Sequence, residues 1–93
     1  MYHEKLKVII ESLLKGNVDK YTLMEYILNN FDCEEIYDSN DNVVTDSFFT
    51  LKHYASGEEE INNEEWLYFL DCLEGKREYD IEEKMRIMSK LHT

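Results

Sequence analysis

Cys33 and His53 are a thiol and an imidazole, the two groups from which a nucleophile and its base could be built. Nothing flanking either of them would activate the thiol or align a third group, so the pair makes no catalytic constellation. His3, His53, His92, Cys33 and Cys72 lack the spacing of a transition-metal site, and neither cysteine belongs to a C-x-x-C pair. In a reducing compartment both cysteines are expected as free thiols. Asp38, Asn40, Asn42 and Asp46 occupy positions 1, 3, 5 and 9 of an EF-hand-like loop. Position 6 is Val43 where the sharp turn needs glycine, and position 12 is Phe49 where a bidentate glutamate closes the site. Paired carboxylates such as Glu34 and Glu35 carry no acid–base signal in so acidic a chain. Gly16, Gly57 and Gly75 lie too far apart to form a phosphate-binding loop. The expectation is a protein that is not an enzyme, with no metal and no cofactor.

Charge is more informative. Residues 1–31 hold four acids and four lysines, whereas residues 32–65 hold eleven acids against Lys52 alone. Most of the formal net charge of −11 therefore sits in the middle of the chain. Like charge concentrated in this way costs stability through self-repulsion, and its use is steering toward a basic partner surface. Direct nucleic-acid binding is disfavoured, because phosphates need a basic footprint. Glu34, Glu35, Asp38, Asp41, Asp46, Glu58, Glu59 and Glu60 are the candidate ionic contacts. Tyr37 lies within the acidic run and is the candidate apolar anchor, since a tyrosine offers an apolar body with a polar tip.

The elements that must carry these residues read as helices. The chain has no proline and three glycines, too few for a turn-rich β fold. Leu6, Ile9, Ile10, Leu13 and Leu14 define a first helix over about 3–15, closed at Gly16. Asp19 is the expected N-cap of a second, with Met24, Ile27, Leu28 and Phe31 on its stripe and a short link that makes an antiparallel hairpin. Residues 32–42 read as an acidic loop with room for one helical turn. A third helix is expected from Thr45 or Asp46 to Ser56, because Val43-Val44-Thr45 is β-branched. Asn62 with Glu65 forms a capping box for a fourth helix, whose stripe is Trp66, Phe69, Leu70 and Leu73. Asp80 with Glu83 forms a second box, for a fifth helix striped by Ile81, Met85, Met88 and Leu91. Phe31, Phe48, Trp66 and Phe69 are expected in the core. Five stripes, each too weak alone, predict a single all-α domain, a four- or five-helix bundle of mainly antiparallel neighbours. No apolar run reaches the length of a membrane span, and the N-terminus lacks signal-peptide character, so the expected location is the cytoplasm.

The stretch Val8-Ile9-Ile10-Glu11-Ser12-Leu13-Leu14-Lys15-Gly16-Asn17-Val18, followed by Asp19 to Tyr26, resembles the opening helices of small bacterial immunity proteins against nuclease toxins, of the colicin-D type. The acidic middle and a short final helix from Ile81 to Leu91 fit the same resemblance. The segment Glu64 to Tyr79 has no counterpart in it. The resemblance implies stoichiometric inhibition, in which an acidic face plugs the basic cleft of a toxin and excludes its substrate. The alternative expectation is a structural or regulatory helical domain that self-associates through an apolar face.

Overall fold

Short polar side chains placed before apolar stripes start most of the helices. Asp19 accepts the Thr22 N–H at 2.7 Å and opens α2, Lys20–Asn30. Asn62 accepts the Glu65 N–H at 2.8 Å and opens α5, Asn63–Leu73. Each bond satisfies an amide that the first helical turn leaves unpaired. The computed structural model describes residues 2–89 and adds four further helices: α1 (Tyr2–Leu14), α3 (Cys33–Asp38), α4 (Asn42–Ser56) and α6 (Ile81–Ser89). Among the described residues the fold is all-helical.

Among the described residues six helices form where the sequence shows five stripes. The additional one is α3, in the segment expected to be a loop. Asp32 caps it by accepting from the amides of Glu34 and Glu35, and Ile36 is fully buried beneath it. Helix α4 begins at Asn42, three residues ahead of its expected start. Asp41 caps it through the Val44 N–H at 3.3 Å, and Val43 and Val44 both turn into the core. Burial of two valines outweighs their modest preference for extended backbone. Helices α1, α4 and α5 end on the same device: paired backbone bonds across Gly16, Gly57 and Gly75. At Gly57 the backbone turns left-handed, with φ of 84°, a conformation that costs glycine nothing.

Helix α4 is the centre of the structure. It packs on α1, α2, α3 and α5, while α1 lies mainly on α5. Helices α1 and α2 meet through side chains: Lys5 Nζ donates to the Asn30 carbonyl at 3.1 Å and the Tyr26 hydroxyl to the Lys5 carbonyl at 3.2 Å. The core joins Leu6 and Ile10 of α1, Leu23 and Ile27 of α2, Phe48 and Leu51 of α4, and Trp66 and Phe69 of α5. Phe31 is only half-buried, stacked on Tyr2 and tilted against Phe48.

Helix α6 differs from its expected form. Ile81 and Met85 point outward, about half exposed, and Lys84 is the buried residue. Leu91 and the side chain of Met88 lie outside what the structure describes. No described helix is long and apolar enough to cross a membrane.

Candidate functional site

The acidic side chains form two groups at opposite ends of α4. Its 15 residues span roughly 22 Å, which sets their separation. At the N-terminal end stand Asp32, Glu34, Glu35 and Asp38 around α3, with Asp41 at the cap of α4. Glu35 accepts from the Tyr2 hydroxyl, and Asp41 pairs with His3 at 2.9 Å. At the C-terminal end, Glu58 pairs with His53, Glu60 pairs with Lys20 at 2.9 Å, and Glu59 is exposed beside them. Glu34, Asp38 and Glu59 have no cation partner among the described residues. Asp32 and Asp41 carry two duties, because the carboxylates that charge this end also cap α3 and α4.

Asp46 does not belong with them. Both its oxygens receive the Lys84 ammonium, at 2.6 and 2.7 Å, and the Tyr79 hydroxyl donates to it at 2.6 Å. It ties α4 to α6 and is absent from the acidic surface. No sequence signal pairs residues so far apart; a lone lysine within the apolar stripe of α6 is the nearest thing to one.

Tyr37 is half exposed, with its ring 5.1 Å from that of Phe49 on α4. Tyr54 instead packs edge-on against Trp66, and Tyr68 is buried with its hydroxyl donating to the Asp80 carbonyl at 3.0 Å. A groove of about 190 Å³ runs along the C-terminal half of α4 to Glu58, lined by Met24 of α2 and by Phe49, Lys52, His53, Ser56 and Glu58. On the outer face of α2, Tyr21 and Leu28 flank Met24 at helical spacing and are 76% and 73% exposed. Periodicity alone did not separate these residues from the core set: Met24 and Leu28 fall on the α2 stripe with Ile27, and only packing shows that Leu23 joins Ile27 on the inside while Leu28 stays exposed.

A second polar cluster lies at the α5–α6 connection. Arg77 pairs with Glu83 and stands 4.8 Å over the Tyr68 ring. Burial pushes the Cys72 thiol above its ordinary range, away from thiolate reactivity. Burial and the neighbouring Asp46 carboxylate push the Tyr79 phenol up. Glu65 is 2% exposed, and burial raises its carboxyl despite the nearby Lys84 charge. Its side chain does not reach back to the Asn62 amide, so only the Asn62 half of the expected capping box forms. At Asp80 the accepted amide is that of Glu82, at 2.9 Å.

Other sequence candidates are dispersed. From Asn42 onward the EF-hand-like segment is helix, which places Asn42 and Asp46 on α4. Cys33 is exposed at the start of α3, whereas His53 faces Glu58 near the end of α4. Among the described residues no group of histidine, cysteine and carboxylate side chains is arranged to hold a metal. The chain matches no family model, no curated protein and no solved structure.

Proposed function

We propose that this chain is an acidic binding protein that acts as an immunity-type inhibitor, occluding the basic cleft of a toxin, a nuclease, in the cytoplasm. One observation carries the reading: outside Asp46 and Glu65, the middle-third carboxylates stand on the surface of the helical body instead of being buried within it. Such a surface steers encounter with a cationic cleft and holds phosphate away from it. Stoichiometric occlusion needs no catalytic group on the inhibitor.

The test is affinity capture at low and at high salt, followed by a nuclease assay of the captured protein with and without the chain. A basic partner that weakens as salt rises, and whose activity falls to zero at one equivalent, is the expected result. A captured partner with no toxic activity, or one bound equally at both salts, would count against the proposal.

Self-association is the second reading. It is favoured by Ile81 and Met85, exposed one turn apart on α6. Sedimentation at two salt concentrations separates the readings, because an apolar dimer does not dissociate as salt rises.

A further inference from the structure

The polarity of the surface along α4 alternates in a definite order. Its N-terminal end carries Glu34, Asp38 and Asp41, and its C-terminal end carries Glu58 and Glu59. Between them runs an apolar strip, Tyr37 against Phe49 and then Met24 across the groove, with Lys52, His53 and Ser56 along its α4 side. Helix α2 runs antiparallel to α4, since Lys20 reaches Glu60 beyond the end of α4 while Phe31 meets Phe48 nearer its start. Tyr21 therefore extends the apolar strip toward Glu58, and Leu28 extends it toward Tyr37. Exposed residues of this size on one strip mark an interaction site more often than scattered single ones do.

We propose that the α2–α4 groove receives an amphipathic helix from the protein partner, apolar along its middle and basic at both ends. A helix of about 15 residues matches the span between the two acidic ends. Its apolar face fits the groove by the same i, i+3, i+4, i+7 logic that seats helices in other grooves. Charge also selects the occupant: a second copy of this chain would bring a further −11 to an already negative surface. This inference rests on the binding-protein reading and adds where the partner sits and what it presents.

The probe is a synthetic helical peptide with leucines at that spacing and lysines grouped at both ends. Two controls accompany it: one with glutamates replacing the lysines, one with serines replacing the leucines. Amide shifts of the isotope-labelled full chain report the site. The lysine–leucine peptide is expected to move Met24, Leu28, Phe49 and His53, and the glutamate peptide to move nothing. The double variant Tyr21→Ser, Leu28→Ser alters only exposed side chains, so its own spectrum remains that of the folded chain. It is expected to weaken binding by about tenfold or more. Equal binding of the serine control would show charge without groove recognition, which overturns the inference and leaves the inhibitor reading standing. Shifts centred on Ile81 and Met85, no shifts at all, or concentration-dependent shifts of the groove without peptide would each overturn it too. A captured partner lacking toxic activity would sink the inhibitor reading without touching the groove.

Discussion

Lys84 and Asp46 lie 38 positions apart and meet in a two-contact ion pair at 2.6 and 2.7 Å, with only 8% of the lysine side chain exposed. Among the described side chains of α6, Ile81 and Met85 face outward and Ile87 is partly covered. A lysine that could extend into water is held inside because a carboxylate is there to receive it, and Tyr79 supplies a further hydrogen bond to the same carboxylate. The docking of α6 thus runs through a polar contact as well as through its apolar side chains.

Breaking this pair from either side leaves a charge without its partner. Lys84→Met is expected to cost about 3 kcal/mol, which for a domain of this size lowers Tm by roughly 10–20 °C. Asp46→Leu alone should cost a similar amount. The double variant should recover most of the loss, since well-packed apolar side chains can substitute for a buried ion pair. Thermal unfolding followed by circular dichroism checks all three, and a double variant as unstable as either single one would refute the account.

The buried carboxyl of Glu65 makes stability depend on pH. Burial raises its proton affinity in the folded state, so the folded chain holds that proton more tightly than the unfolded chain does. Its contribution to stability is therefore greatest at acidic pH, below the ordinary carboxyl range, and declines as pH rises through that range toward the raised folded value. Glu65→Gln should be more stable than the parent at neutral pH and match it near pH 4 or below. Urea titrations at the two pH values, read by Trp66 fluorescence, test the sign.

Tyr79 acts at the other end of the scale. Its phenol is held protonated by burial and by Asp46, so the unfolded chain ionises first as pH rises past about 10. Stability should fall there, and Tyr79→Phe should flatten that part of the profile while losing about 1 kcal/mol at neutral pH.

The acidic surface can be discharged without harming the fold only at chosen positions. Asn caps a helix about as well as Asp, so Asp41→Asn keeps the start of α4 whereas Asp41→Ala should cost about 1 kcal/mol. Asp46→Asn would strip Lys84 of its partner and confuse binding with stability. The informative variant is therefore Glu34→Gln, Asp38→Asn, Glu59→Gln. It should leave Tm within a few degrees and slow association with a basic partner at low salt. Unchanged association kinetics at low salt would remove the acidic surface from the mechanism.

Much of the fold is written in local signals. Asp19 and Asn62 act as caps through residues three positions away, and Gly16, Gly57 and Gly75 end helices through backbone bonds within a single turn. Such contacts depend only on neighbours, so residue type and spacing reveal them. The same holds for the apolar stripes of α1 and α5, whose expected residues line the core.

Relations between distant residues emerge only when the helices pack. Sequence placed Asp46 among the acids of a binding surface, and packing turned it inward to Lys84. Periodicity marked Ile81 and Met85 as core, and the docking of α6 turned them out. Residues 32–42 read as an acidic loop because their charge dominates the pattern, yet burial of one side chain, Ile36, accompanies a helix there. The helical character, most of the helix ends and the strongly acidic middle are legible from residue type and spacing. Which carboxylates face water, and the apolar strip between the two acidic ends, were decided by packing, because burial depends on what arrives from elsewhere in the chain.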